Sequence, residues 1–262
     1  MPSTPEPGYD VTVIGGGHAG IEAAHAAARM GRSTLMVTMD LKAIGRMSCN
    51  PAIGGVAKGQ LVRDIDALGG LMGYVADRSG IQFRMLNLSK GPAVWGPRAQ
   101  MDMDDYAERM QAILAATPNL TLRAGELLDF EKEEQGAGEG DFSGGFRLRL
   151  GSGEGEASVA TRTLIITSGT FLGAVMHTGL SQTEGGRVGE ASAMALSQTL
   201  KSRGLRTRRL KTGTPARLAA DSLDYSEVEV QHGDAEPFPF SFRTEGPIKN
   251  RATCWITRTS AE

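Results

Sequence analysis

Cysteine is scarce in this sequence, and its two thiols, Cys49 and Cys254, form no CxxC motif. A disulfide framework is therefore excluded, and no metal site is expected. The N-terminal stretch MPSTPEPGYD is polar and proline-rich, unlike a secretory signal peptide, and no apolar run approaches the length of a membrane helix. These absences predict a cytoplasmic protein with no membrane partner.

Aromatic residues make up only 5% of the chain, and the net charge is −2. A balance so close to neutral gives no global signal for a nucleic-acid or membrane partner. Glycine is abundant, with 35 among 262 residues, which is typical of an α/β scaffold with many tight loops. The length suits one large or two small domains.

Hydrophobic periodicity predicts helices in GQLVRDIDALGG and over residues 102–116, and strands in IQFRMLN, NLTLRAG, ELLDFEKEE and the region from GFRLRL to TRTLIITSG. Residues 40–58 are expected to form a loop-rich insertion, and SKGPAVWGPRAQ, residues 89–100, is expected to be irregular.

The segment VTVIGGGHAG places Gly15, Gly17 and Gly20 in the spacing GxGxxG directly after an apolar run. The helix-favouring stretch IEAAHAAARMG follows and stops at Gly31, and STLMVT then resembles a second strand. A GxGxxG pattern in this strand–turn–helix–strand context is a more specific signal of dinucleotide binding than the pattern alone. It predicts a Rossmann-like α/β domain that binds a dinucleotide, against the alternative of a plain packing turn.

Each glycine in this spacing has a chemical role. Gly15 permits the sharp turn, Gly17 lets the backbone approach a pyrophosphate, and Gly20 lets the helix lie close to the strands. The phosphate then sits on the N–H groups at the helix N-terminus. The acid expected at the end of the second strand is Thr38, with Asp40 two positions later. Either could contact a ribose, so the motif leaves both FAD and NAD open.

The stretch TRTLIITSGTF favours FAD. Its apolar strand runs into Ser168 and Gly169, whose small size allows a second close backbone approach. Flavoproteins with two dinucleotide-binding domains end a strand in this way. Together with the glycine motif and the intervening β-meander, this makes FAD the favoured cofactor.

Residues 201–217 form a basic block without any acid, consisting of Lys201, Arg203, Arg206, Arg208, Arg209, Lys211 and Arg217. Such a block can neutralise phosphates, or it can protect a solvated edge strand against aggregation. The residues alone leave both interpretations open.

Eight uncommon sequence motifs occur along the chain: GGGHAGIEAA, MSCNPAIGG, IDALGGLM, GIQFRMLN, SKGPAV, GGRVG, LKTGTPAR and QHGD. Together they resemble the GidA family, also called MnmG, from about Tyr9 to the last residues. The resemblance implies a disordered tail over residues 1–8 and an incomplete FAD-binding domain over 9–200. Residues 201–262 would begin an inserted domain that faces NADH and tRNA.

The resemblance also implies a function. Family members modify the wobble base, uridine 34, of certain tRNAs by adding an aminomethyl-type group at C5, such as carboxymethylaminomethyl. They take the carbon from methylene-tetrahydrofolate and use FAD and NADH for the redox steps. They act as homodimers in complex with the tRNA-modifying GTPase MnmE.

Site residues follow from the same resemblance. The FAD phosphate loop corresponds to Gly15, Gly16, Gly17, His18, Ala19 and Gly20. Leu127 falls where a strand backbone meets the adenine end, and Glu184 falls at a FAD-contacting position where relatives carry serine. His18 is expected to pack at the helix start rather than act as an acid or base. Of the basic block, Arg206, Arg208, Arg209 and Lys211 become candidates for contacting the tRNA backbone.

Cys49 matches a cysteine with a proposed catalytic role. A thiolate that adds to C6 of a uridine makes C5 nucleophilic, which explains why the chemistry needs a cysteine. The competing interpretation is a small residue that packs a loop.

The resemblance covers well under half of a full family member, so the NADH site and the domain that recruits MnmE are expected to lie outside this chain. Two alternatives therefore stay open: a catalytically incomplete FAD-binding fragment, and a flavoprotein oxidoreductase that acts on a small molecule. The second alternative explains the glycine loop but neither SCNPAIGG nor LKTGTPAR.

Overall fold

A computed structural model describes residues 8–47, 50–133, 144–153, 155–186, 192–211, 213 and 217–258. The chain forms two compact units. The first unit comprises Met1–Gly45 and Met110–Leu210, and the second comprises Arg46–Arg109 and Lys211–Glu262.

The helices and strands are numbered in chain order. The α-helices are α1 (His18–Arg29), α2 (Lys58–Ala67), α3 (Met72–Ser79), α4 (Met103–Ala115) and α5 (Met194–Ser202). The strands are β1 (Tyr9–Ile14), β2 (Thr34–Thr38), β3 (Ala52–Gly54), β4 (Gly80–Leu86), β5 (Gly96–Met101), β6 (Leu120–Ala124), β7 (Glu126–Lys132), β8 (Phe146–Ser152), β9 (Gly155–Ile166), β10 (Val175–Thr178), β11 (Ser181–Glu184), β12 (Glu229–Gln231) and β13 (Cys254–Ile256). None of the described helices has the length and apolar character needed to span a bilayer.

The main sheet of the first unit has the order β6-β2-β1-β9-β8-β7. Strands β6, β2, β1 and β9 run parallel, whereas β7, β8 and β9 form an antiparallel meander. The long strand β9 joins the two parts, because residues 155–161 pair with β8 and residues 161–166 pair with β1. The α/β class, the parallel sheet and the meander predicted from the sequence are confirmed.

Helix α1 packs mainly through alanine, with one isoleucine near its start. Ile21, Ala24 and Ala28 are buried at helical spacing, so an alanine-rich stripe faces inward. Gly31 follows with φ +75°, a left-handed conformation that suits glycine and ends the helix before β2. The local sequence therefore determines both how closely the helix packs against the rest of its unit and where it ends.

The second unit contains the antiparallel sheet β3-β5-β4, helices α2 and α3, and the β12–β13 pair. The described residues within 40–58 contain only the three-residue strand β3 and the short 3-10 helix Leu41–Ala43 before α2 begins, in keeping with a loop-rich segment. Strand β5 occupies residues 96–100 of the stretch 89–100, so the expectation of irregular structure there was wrong for those residues. Glycine and proline obscure the strand pattern of β5, but this strand is stabilised by pairing with β3 on one side and β4 on the other.

Two buried aspartates in this unit bind a distant segment of the chain. Asp77 accepts hydrogen bonds from the backbone nitrogens of Phe240 (2.7 Å) and Ser241 (2.9 Å) and from the Thr244 hydroxyl (2.6 Å). Asp66 accepts from the backbone nitrogen of Phe242 and from the Arg243 guanidinium, each at 2.8 Å. Residues 240–244 are thereby fixed to helices α2 and α3.

The pKa values of Asp66 and Asp77 shift in opposite directions, although burial acts on both carboxyl groups. Burial raises the pKa of Asp77 above 3.8 despite its three hydrogen bonds. Burial also opposes ionisation of Asp66, but hydrogen bonds from Arg243 and other donors outweigh it and lower that pKa. The side chain of Phe240 is fully buried, so apolar packing accompanies the polar contacts.

The two compact units group residues differently from a boundary near residue 200, because residues 46–109 join residues 211–262. The assignment of residues 9–200 to a cofactor domain and of 201–262 to an inserted domain stays a prediction. Residues 1–7 of the predicted tail lie outside the described residues.

Replacement of Asp77 by Ala is expected to lower the free energy of unfolding by about 3 kcal/mol, because three donors lose a charged acceptor in a buried site. Both tryptophans, Trp95 and Trp255, belong to the second unit, so urea unfolding followed by tryptophan fluorescence reports on it. The control is Asp64→Ala, an exposed position on α2. Equal unfolding midpoints for the two variants would contradict the structural role of Asp77.

Candidate dinucleotide-binding site

The glycine turn lies at the carboxyl ends of the central parallel strands. Ile14, the last residue of β1, pairs with Val37 of β2 and Ile166 of β9. The Gly15 amide donates to the Val37 carbonyl (2.8 Å), and the Thr167 amide donates to the Ile14 carbonyl (2.8 Å). Since β2 and β9 flank β1 on opposite sides, the turn occupies the crevice where doubly wound sheets bind ligands.

Two glycines are required by close backbone approaches. Gly15 has φ +115°, and a Cβ atom on it would overlap the Thr167 carbonyl oxygen. A Cβ atom on Gly20 would overlap the Gly15 carbonyl oxygen and lie 2.7 Å from Thr167 Oγ1. The Thr167 hydroxyl also donates to the Ile14 carbonyl at 2.8 Å. The start of α1 is therefore held against the end of β1 with no room for a side chain.

Gly17 differs from these two glycines because its surroundings are open. It is the N-cap of α1 with φ −79°, and a Cβ atom on it would meet no atom within 4 Å. No side chain caps the helix, and no acid lies in its first turn. The first-turn N–H groups have no acceptor within the helix and carry partial positive charge. This geometry fits a phosphate group of a nucleotide.

The two ribose candidates differ in their surroundings. Thr38 ends β2, and its Oγ1 lies 2.9 Å from the position of a Cβ atom on Gly16. Asp40 is exposed, and its carboxylate caps the short 3-10 helix Leu41–Ala43 by accepting from the Lys42 amide (2.8 Å). Thr38 thus adjoins the glycine turn, whereas Asp40 already has a local role.

His18 and Ala19 occupy the first turn of α1. Burial lowers the pKa of His18 and so disfavours a positive charge on its imidazole beside the turn. Ala19 is exposed. A largely enclosed histidine fits the predicted packing role better than an acid–base role.

The remaining predicted cofactor contacts are more widely spread. Ser168 and Gly169 follow Thr167 and begin a short 3-10 helix, and Gly169 has φ +57°. Leu127 is fully buried in the core of the sheet. Glu184 is exposed at the end of hairpin strand β11, opposite Val175. The described hydrogen bonds join the glycine turn to Thr167 but not to Glu184.

Sequence reasoning missed two residues at this edge of the sheet. Thr167 is the first; its position between a buried strand and Ser168 was a usable signal. Glu126 is the second. It follows Gly125, whose amide donates to the Thr38 carbonyl (2.8 Å), and burial raises the pKa of Glu126 above 4.5. Its Oε1 is buried without a hydrogen-bond partner among the described residues.

The other predicted sites lie elsewhere. Cys49 lies outside the described residues, so its catalytic role stays a prediction. Arg206, Arg208, Arg209 and Lys211 are all exposed in a stretch without regular secondary structure. The Arg209 guanidinium donates to the Gly173 carbonyl at 3.3 Å.

Comparisons with known proteins agree with this geometry. A family model described as Glucose inhibited division protein A matches residues 10–262. The chain is 51% identical over 254 residues to the tRNA uridine 5-carboxymethylaminomethyl modification enzyme MnmG of Nitratiruptor sp., covering 96% of this chain and 39% of that protein. It is 50% identical over 255 residues to the enzyme of the same name from Campylobacter fetus, with the same coverages. The chain thus spans 39% of the length of these relatives.

Solved structures show the same relationship. The structure of Aquifex aeolicus GidA in the form II crystal matches with a TM-score of 0.85 and 43% identity over 95% of this chain and 40% of that chain. The GidA-related protein from Thermus thermophilus matches with a TM-score of 0.52 at 20% identity, covering 76% of this chain and 69% of that chain. The second likeness concerns the fold alone.

Replacement of Glu126 by Gln is expected to raise the urea unfolding midpoint at pH 8. The folded-state pKa of Glu126 is raised, so its ionisation destabilises the folded state as the pH rises above 4.5. The gain should shrink as the pH is lowered and vanish well below 4.5, where the carboxyl is protonated in both the folded and the unfolded state. Glu131→Gln, an exposed position on the same strand, is the control. A gain from Glu126→Gln that is independent of pH would refute this explanation.

Proposed function

The chain belongs to the glucose inhibited division protein A family, and on that premise we propose that it is the N-terminal portion of a FAD-dependent enzyme that modifies wobble uridine 34 of tRNA. The enzyme adds an aminomethyl or carboxymethylaminomethyl group at C5. The observation that carries this proposal is the uncapped start of α1 beside the open Gly17. The activity named for the MnmG relatives supports the reaction.

FAD is the proposed cofactor of this site. Gly17 and the first turn of α1 hold its pyrophosphate, and Gly15, Gly16 and Gly20 allow the approach. Thr38 is positioned to contact a ribose, and Ser168 and Gly169 lie on the other side of the turn, after β9. When bound, FAD supplies the redox capacity that the modification requires. Residues of this chain bind and orient it.

FAD titration tests the pyrophosphate role directly. Replacement of Gly17 by Ala is expected to weaken FAD binding at least about tenfold, or about 1.4 kcal/mol, because a methyl group enters the space of the phosphate. The fold should be unaffected, since that methyl group meets no atom of the described protein within 4 Å. Binding is measured by flavin fluorescence, and unfolding by urea.

Gly153→Ala is the matched control, because Gly153 lies in the β8–β9 turn and also leaves open room for a Cβ atom. Equal FAD affinity of the Gly17→Ala and Gly153→Ala variants would contradict the placement of the pyrophosphate. Loss of affinity with an unchanged urea midpoint would support it.

Cys49 is the proposed catalytic nucleophile. Its thiolate adds to C6 of the uridine, and C5 then bonds to the methylene carbon of methylene-tetrahydrofolate as one carbon–nitrogen bond of that donor breaks. Loss of the C5 proton with expulsion of the thiolate from C6 restores the ring double bond, and the new carbon stays attached to C5. NADH supplies reducing equivalents, and the protein acts in the cytoplasm as a homodimer with the GTPase MnmE. These assignments rest on family membership.

A second candidate is a catalytically incomplete FAD-binding fragment. The observation that favours it is that the chain spans 39% of the length of the relatives it matches. FAD binding without turnover on tRNA would assign the chain to this candidate.

The exposed residues Arg206, Arg208, Arg209 and Lys211 are proposed to contact the tRNA backbone. Binding should therefore weaken steeply with salt, because each neutralised phosphate releases counterions. The variant R206Q/R208Q/K211Q spares Arg209 and its hydrogen bond to Gly173. We expect it to reduce the slope of log K against log salt by about 2 to 3.

Filter binding of a tRNA with uridine at position 34 provides the measurement, over a series of salt concentrations. The control variant R32Q/K58Q/K90Q removes three other exposed basic side chains and should keep the original slope. If both variants bind with the unchanged slope, the basic block is a solvated surface rather than a tRNA contact.

A further inference from the structure

Strands β4 and β5 of the second unit bring two arginines face to face. In their antiparallel register, Arg84 pairs with Arg98, and Gln82 pairs with Gln100. Residues two apart on a strand share a face, so the four side chains project from one side of the sheet. Like charges directly opposite each other destabilise a sheet. A compensating negative charge would remove that cost.

The described part of the protein does not supply this charge. Neither guanidinium has an ion-pair partner among the described residues, and Nε of Arg84 is buried without a hydrogen-bond acceptor there. A buried donor without an acceptor costs free energy that a ligand can recover. The sheet face therefore has two positive charges and a donor in need of an acceptor.

Gln100 orients Arg98, and Gln82 fixes the neighbouring Gln231 backbone. The Gln82 amide donates to the Gln231 carbonyl at 2.6 Å. When the Gln100 amide is oriented to satisfy its neighbours, its oxygen accepts from Arg98 Nη2 (3.2 Å) and its nitrogen donates to the Pro51 carbonyl (3.1 Å). A guanidinium that is already oriented loses less entropy when it binds a ligand.

These side chains line a pocket of about 250 Å³, including its part open to solvent. The lining residues are Gln82, Arg84, Leu86, Arg98, Gln100 and Gln231. Guanidinium groups match the planar, multidentate geometry of phosphate and carboxylate oxygens.

We propose that Arg84 and Arg98 form an oxyanion-binding site that takes a phosphate or carboxylate group, with Gln100 as the residue that orients Arg98. This site belongs to the second unit and shares no residue with the glycine turn. Its existence therefore does not depend on FAD binding at the glycine turn.

Cys254 provides a local reporter of the site. It pairs with Gln231, a lining residue, across the β12–β13 ladder. Burial raises the pKa of the Cys254 thiol, and the charges of Arg98 and Arg84 lower it. A bound oxyanion would neutralise those charges, reduce the thiolate fraction and slow alkylation.

The test is the alkylation rate of Cys254 by iodoacetamide at pH 8, followed by mass spectrometry of its peptide, during titration with inorganic phosphate. Ionic strength is held constant with sodium chloride. We expect a saturable slowing of about threefold or more. The double variant R84Q/R98Q should react slowly without phosphate and show no further slowing, whereas Arg32→Gln, an exposed control, should behave like the original chain.

Unfolding provides a second readout that does not depend on the thiol. Phosphate should raise the urea midpoint of the original chain and not that of R84Q/R98Q, since a ligand stabilises only the state that binds it. Repeating both titrations with acetate distinguishes the source: stronger effects of phosphate assign a phosphate group, and stronger effects of acetate assign a carboxylate. The absence of saturable effects of either anion, or equal effects on the double variant, would overturn the proposal.

Discussion

Helix α1 begins so close to the end of strand β1 that no side chain fits between them, and the first unit depends on this constraint. Gly20 lies against the Gly15 carbonyl, and Thr167 at the end of β9 fastens the turn from the other side. Strands β2 and β9 pair in parallel with β1 beside this turn, and the first turn of α1 begins at the open space of Gly17. The packing constraint and the proposed phosphate site are thus consequences of the same turn.

The second unit is organised by charge. Asp66 and Asp77 carry their charges into the interior, where backbone donors and Arg243 satisfy them. Arg84 and Arg98 instead face one another without an acid among the described residues. Buried aspartates with partners fix the segment 240–244 in place, whereas the arginine pair leaves positive potential at the sheet surface. Charged groups removed from water need partners, which explains the contacts of Asp66 and Asp77 and gives a reason to expect a ligand at Arg84 and Arg98.

Local patterns predicted much of the fold. The succession β1–turn–α1–β2 follows from glycine spacing and alanine content, and the expected helices correspond to α2 and α4 within three residues. Strands β3 and β5 escaped notice because glycine and proline hide their alternation. Thr167 and Glu126 were missed because their significance lies in contact and burial rather than in sequence spacing. The role of Asp77 was also inaccessible, since its partner Phe240 is 163 residues away along the chain.

The most direct measurement of the central claim is an amide ¹H–¹⁵N spectrum of the chain during titration with FAD. It reports on each backbone N–H group, which is the chemical group proposed to hold the pyrophosphate. If FAD binds at the glycine turn, the largest shifts fall on residues 15–21, which form the glycine turn and the first turn of α1. Saturable binding of FAD with unperturbed amides in that segment, or no binding, would contradict binding at this turn.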